Sequence, residues 1–128
     1  MKKILAFLIL VLFQIASAQT KLVSHHLDLK KSENHHQSIA MVNSETSEVY
    51  LFASDKEQLS IHQYNNAFFF KDSLITDRPS KDYPNMSGYS FSDAAPYIYW
   101  TSSDLKRILA IKYDLKNKSA QTTLLNFR

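Results

Sequence analysis

Beyond residue 18 the chain runs as short apolar or β-branched stretches separated by Asn, Ser, Asp, Glu and Lys, and none of them keeps apolar residues at the three-to-four spacing of a helical face. Ser38 to Asn43, Val49 to Ala53, Leu59 to Tyr64 and Phe68 to Thr76 read as four strands. Tyr89 to Ser92, Tyr97 to Ser102, Ile108 to Tyr113 and Ser119 to Phe127 read as four more. A further strand, Lys21 to Leu29, puts Val23, His25, Leu27 and Leu29 on one face. Leu59 and Ile61 alternate with polar neighbours, as in a half-buried strand, whereas Ile108-Leu109-Ala110-Ile111 is continuous, as in a strand covered on both sides. Lys106 to Leu115 is the segment a helix would tolerate best, but its counterpart Gln58 to Asn65 is rich in β-formers. The predicted fold is all-β, built of antiparallel meanders of about nine strands.

The strands recur as a group. A shift of 49 residues lays Val49-Tyr50-Leu51-Phe52-Ala53-Ser54-Asp55 on Ile98-Tyr99-Trp100-Thr101-Ser102-Ser103-Asp104 without a gap. Tyr50 and Tyr99, Ser54 and Ser103, Asp55 and Asp104, and Tyr64 and Tyr113 are identical across it. Two units follow, about residues 38–76 and 87–127, inside one β domain over residues 19–128. Four-stranded units at this period, with an extra strand supplied from the other terminus, resemble β-propeller blades. The resemblance is architectural, because no WD pair or diglycine accompanies it. Two blades do not close a ring, which takes about four or more. Three architectures stay open: part of a longer propeller, a ring made by several chains, or a sandwich or barrel of about nine strands, favoured for the chain standing alone.

The first 18 residues have a different character. Lys2 and Lys3 precede an unbroken apolar run from Ile4 to Phe13, and Ala16-Ser17-Ala18 supplies small residues where a signal peptidase cuts. The apolar run is shorter than the roughly 20 residues a membrane-spanning helix needs. Residues 1–18 are therefore expected to be a signal peptide removed near Ala18, leaving a periplasmic or extracellular protein with no stable membrane anchor. Such a leader on a two-unit body also resembles small exported proteins of Gram-negative bacteria of the Bacteroidota type, whose signals often end in Ala-Gln; that likeness implies no activity.

Composition then removes function classes. Lys2 and Lys3 account for two of the three net positive charges, so the body lacks the basic excess that holds nucleic acid. Gly88 is the single glycine, which excludes dinucleotide-binding, P-loop and nucleophile-elbow motifs, each needing at least two. The absence of cysteine excludes disulfides, thiol catalysis and a lipid-anchored form. With so little glycine, the left-handed backbone of tight turns is expected to fall to Asn43-Ser44, Asn65-Asn66, Asp93 and Asn117, and Gly88 is the place to look for a bulge.

Several clusters carry candidate chemistry. His25-His26 and His35-His36 could supply metal ligands, but adjacent strand residues face opposite ways, so His25 and His35 are the pair one site could use. Tyr97 and Tyr99 share one face of a strand while Ile98 and Trp100 share the other. Exposed rings would stack on a carbohydrate or a peptide, and buried ones would fill the core. Tyr83, in the long connection Asp77 to Asn85, joins Tyr97, Tyr99 and Trp100 as a ligand-binding candidate. Phe68-Phe69-Phe70 cannot place all three rings on one face, so at least one is expected to meet a second sheet, a partner or a membrane surface. Asp55 and Asp104 follow serines between strands, which suits side-chain capping of a turn rather than paired catalytic carboxylates. Asp72, Asp77, Asp82 and Asp93 are expected in connections as well.

These features point to an exported, non-catalytic β-sheet protein that acts as a binding or interaction module for a protein or carbohydrate. No cofactor and no nucleic-acid partner are implied. A hydrolase using Asp or His is the alternative, as is an accessory piece of an envelope complex. In that last case an exposed strand edge would recruit a partner strand or a second copy.

Overall fold

The computed structural model describes residues 36–126. The leader, the strand expected over Lys21 to Leu29, and His25 and His35 lie outside the described residues. Within them all eight remaining strands are present and no helix occurs: β1 (Gln37–Val42), β2 (Val49–Ser54), β3 (Gln58–Tyr64), β4 (Phe70–Asp77), β5 (Asn85–Ser92), β6 (Ala95–Thr101), β7 (Arg107–Asp114) and β8 (Ser119–Asn126). They make two four-stranded antiparallel sheets, β1-β2-β3-β4 and β5-β6-β7-β8, each an open meander. The 49-residue shift carries β4 onto β8 end for end and β3 onto all but the last residue of β7. Repeated four-stranded units therefore exist in space as they do in sequence.

Register fixes which residues share a face, because cross-strand partners point the same way. Tyr50 pairs with Met41 and Gln63, and Phe52 with Ile39 and Ile61. This set faces the second sheet: Tyr50 lies 5.3 Å from Phe91, and Phe52 lies 5.8 Å from Tyr113, between ring centroids. Across the interface Ile98 pairs with Ile111 and Trp100 with Leu109. Met41, Phe52, Leu59, Ile61, Leu74, Ile98, Trp100, Ile111 and Tyr113 form one buried cluster spanning both sheets. The apolar side chains that face inward on each sheet thus find their cover in the other, so the two units share a core.

The ends of the strands follow local chemistry. Asn43 accepts from the Glu45 amide at 2.9 Å, and Asn65 accepts from the amides of Ala67 and Phe69, both at 2.9 Å. These asparagines act through their side-chain oxygens and not through a left-handed backbone. Positive φ falls instead on Ser47, Phe68, Asp93, Ala94, Leu105 and Lys118. Asp93 alone of the expected residues is among them, and with Ala94 it forms the two-residue hairpin closing Ser92 on Ala95. Phe68 belongs to the turn between β3 and β4, so β4 begins at Phe70 and not at Phe68 as the apolar run suggested. Asp72 and Asp77, expected in connections, lie within β4, which continues to Asp77. Gly88 does sit at a bulge, where the register of β5 against β6 slips between Met86 and Gly88. Its φ is ordinary, and a Cβ there would meet only the Tyr99 ring, at 4.0 Å.

Candidate binding site

The two sheets are joined by the connection from Arg78 to Pro84, at the end of the molecule that also carries the β2–β3 and β6–β7 turns. Arg78 organises it. Its backbone amide donates to the Glu57 carbonyl at 2.8 Å, Nη1 donates to the Asp55 carbonyl at 3.0 Å, and Nη2 donates to the Pro84 carbonyl. The guanidinium lies 5.4 Å from the centre of the Trp100 ring. One side chain thereby fastens the β2–β3 turn, the inter-sheet connection and β6 together. Burial lowers the Arg78 pKa, and the charge on Asp55 acts in the opposite sense. From β1, Gln37 Nε2 donates to the Pro84 carbonyl at 2.8 Å, and its Oε1 accepts from the Met86 amide at 2.7 Å.

Asp55 and Asp104 occupy matching turns at this end and do matching work. Asp55 Oδ1 accepts from the amides of Glu57 and Gln58 at 2.7 and 2.8 Å. Asp104 Oδ1 accepts from the Lys106 amide at 3.2 Å and from Ser102 Oγ at 2.6 Å. Both cap turns, as expected, but Asp55 is fully buried and Asp104 is exposed. The hydroxyl and amide bonds hold the Asp104 carboxyl below the ordinary aspartate range.

A cavity of about 300 Å³ opens beside this junction, lined by Lys56, Arg78, Pro79, Lys81 and Pro84. Three of these five side chains are cationic, and among the described residues the lining holds no carboxylate and no imidazole. The two prolines have fixed φ and give the rim little freedom. The arrangement suits capture of an anion attached to an apolar body, with Arg78 held in place by main-chain carbonyls and the two lysines exposed beside it. A second cleft, of about 330 Å³, lies at the opposite end between the sheets and includes Tyr50, Gln63, Asp93, Pro96, Tyr113 and Asp114 in its lining.

The structure separates the four aromatic candidates. Trp100 is wholly buried in the shared core, where Nε1 donates to the Tyr113 hydroxyl at 3.4 Å. Tyr83 is buried beneath the Arg107 guanidinium, 5.5 Å from its ring centre. Tyr97 and Tyr99 stand on the other side of β6, half-buried. Lys112 lies 5.8 Å from the Tyr97 ring centre, and the Tyr99 hydroxyl is 2.8 Å from Ser90 Oγ. Trp100 and Tyr83 therefore back the long connection from inside, while Tyr97 and Tyr99 belong to a separate face. Phe68, Phe69 and Phe70 are all substantially exposed, with Phe70 edge-on to Tyr64 at 6.1 Å. Among the described residues no group of three His, Cys, Asp or Glu side chains is placed to hold a metal. The cationic lining is what the sequence reading missed. Lys56 and Arg78 are 22 positions apart, and only the pairing of β3 with β4 brings them together. The chain matches no family model, no curated protein and no solved structure.

Proposed function

We propose that the protein is an exported, non-catalytic binding module. It takes an anionic group, a carboxylate or a phosphate on a partly apolar ligand, into the cavity beside the β4–β5 connection. The observation that carries this reading is the described lining: Lys56, Arg78 and Lys81 lie with Pro79 and Pro84, and among the described residues no acid or imidazole joins them. Three cations raise the local concentration of anions, and a guanidinium presents paired donors in a fixed plane.

Trp100 is the only tryptophan of the chain and lies under Arg78, so its fluorescence reports on this site directly. Titration with citrate and with phenyl phosphate is expected to give a saturable change in Trp100 emission, weakened at least tenfold in a Lys56→Ala/Lys81→Ala double variant. Both lysines are exposed, so that variant keeps the fold. A folded protein with no saturable response to either probe, or an undiminished response in the double variant, would sink the proposal.

A further inference from the structure

We infer that two copies of this chain join through β8, edge to edge and antiparallel about a two-fold axis, so that their second sheets run on as one sheet of eight strands. This contact is independent of the anion site and uses no residue of the first sheet. It rests on β8 itself, the edge strand whose sequence and surroundings leave it open to a further strand.

Each sheet ends in two edge strands, β1 and β4 in the first and β5 and β8 in the second. Three of them are guarded. Gln37 at the start of β1 donates to the Pro84 carbonyl and accepts from the Met86 amide, which sets β1 beside β5. The register of β5 also slips between Met86 and Gly88. β4 carries Lys71, Asp72 and Asp77, and its pairing with β3 is irregular at Gln63 and Tyr64. Charges, bulges and covered edges are the usual means by which a strand is kept from recruiting another. β8 has none of these. It holds no charged residue and no proline, and all eight of its residues are exposed. Its ladder to β7 runs unbroken from Asp114 with Ser119 to Arg107 with Asn126. Among the described residues β7 is the one strand paired with it.

The repeat makes this a difference between equivalent strands. The 49-residue shift lays Lys71 on Ala120, Asp72 on Gln121 and Asp77 on Asn126, so every charge of β4 gives way to an uncharged side chain in β8. Ile75 and Thr76 give way to Leu124 and Leu125, 48% and 40% exposed. Leu124 pairs with Leu109, in the row of Trp100, and Leu125 pairs with Ile108, so one leucine stands on each face of the edge. A strand laid antiparallel on its own copy sets threonines and leucines against residues of the same kind, and with no charge in the strand no like charges meet. A two-fold contact of this sort uses up both open edges and closes at two copies. The occupant of the β8 edge is therefore a second copy of this chain.

The test joins mass to cross-linking. Light scattering on the chain purified from its full sequence is expected to give a dimer that dissociates to monomer on dilution. Pairing along the whole strand centres the two-fold axis near Thr122 and Thr123. Because the chain has no cysteine, each of the single variants Gln121→Cys, Thr122→Cys, Thr123→Cys and Leu124→Cys carries one thiol. Oxidation is expected to give a covalent dimer at whichever of these positions lies opposite itself across the axis. Leu105→Cys, exposed in the β6–β7 turn, is expected to stay uncross-linked. Thr122→Lys/Thr123→Lys, at two exposed positions, sets like charges together on both faces of the joint. It is expected to weaken dimerisation at least tenfold with unchanged circular dichroism; if it loses its fold, the cysteine series decides alone. A monomer at all concentrations overturns the inference. So does a folded double-lysine variant that dimerises undiminished, and so does the absence of a cross-link at all four β8 positions.

Discussion

The guanidinium of Arg78 lies 5.4 Å from the ring centre of Trp100, joining the connection between the sheets to the largest fully buried side chain of the shared core. Arg78 also donates to the carbonyls of Asp55 and Pro84. Hydrogen bonds from a charged donor contribute about 1.5–3 kcal/mol each in favourable settings, and the ring contact adds less. Partial exposure reduces both. Arg78→Ala is expected to lower stability by about 2 kcal/mol, read from urea unfolding followed by Trp100 emission. Arg78→Lys, which keeps the charge but loses the planar fork, should recover less than half of that loss. A change below about 0.5 kcal/mol for Arg78→Ala would mean that the connection is held by other contacts.

Phe52 and Tyr113 meet across the two sheets at 5.8 Å, nearly edge-on. Both are fully buried, so Phe52→Ala is expected to cost about 3–5 kcal/mol. Beyond that loss, a double-mutant cycle with Tyr113→Leu should return a coupling of about 0.5–1.5 kcal/mol. Since the core belongs to both units, wild-type unfolding should be a single transition by tryptophan emission and by circular dichroism. Two separated transitions would show that the units fold independently.

How much of this was legible in the chain depends on the range over which each feature is decided. Strands were legible because alternation and β-branched content are local, and the 49-residue recurrence reinforced them. Even the opposite facings of Tyr97 and Trp100 followed from the two-residue period. Turn backbones were not legible. Asn43 and Asn65 satisfied neighbouring amides with their side chains, which left positive φ to Ser47 and Phe68, residues with no intrinsic preference for it. Tyr83 looked like a loop aromatic and is buried, with Arg107 at the start of β7 lying over it. The cationic cavity needed the register of β3 on β4 before Lys56 and Arg78 could be placed together.

Asp55 and Asp104 give a comparison between equivalent positions in different surroundings. Asp55→Ala removes the acceptor of two amides at a fully buried site and is expected to cost about 2–3 kcal/mol. Asp104→Ala exposes its donors to water, which can replace the carboxylate. The fall in melting temperature should therefore be clearly larger for Asp55→Ala, as calorimetry of the two variants would read. Equal losses would mean that burial of the first turn does not strengthen its cap.

Acid sensitivity follows from Glu48. Burial pushes its carboxyl up from the ordinary value of 4.5, but hydrogen bonds from Lys71, Gln63 and Thr46, with the Lys71 charge, outweigh that and leave it lowered. Gln63 Nε2 bridges Glu48 at 3.0 Å and the Tyr50 hydroxyl at 2.9 Å, so the ionised carboxylate anchors the start of β2 to β3 and, through Lys71, to β4. A carboxyl with a lower pKa in the folded state binds fewer protons there than in the unfolded chain, so its contribution to stability is complete above the unfolded value. That contribution is lost as pH falls from about 4.5 through the lowered folded value. Asp72, beside Lys118, and Asp114, accepting from Asn117, are shifted the same way and add to the slope. Melting temperature is expected to decline as pH drops below about 4.5, with a shallower decline in Glu48→Gln, which keeps the shape of the side chain but carries no titratable proton. Added salt should weaken the Lys71 and Lys118 contributions, because both pairs are partly exposed. Parallel pH profiles for the wild type and Glu48→Gln would remove Glu48 from the acid response.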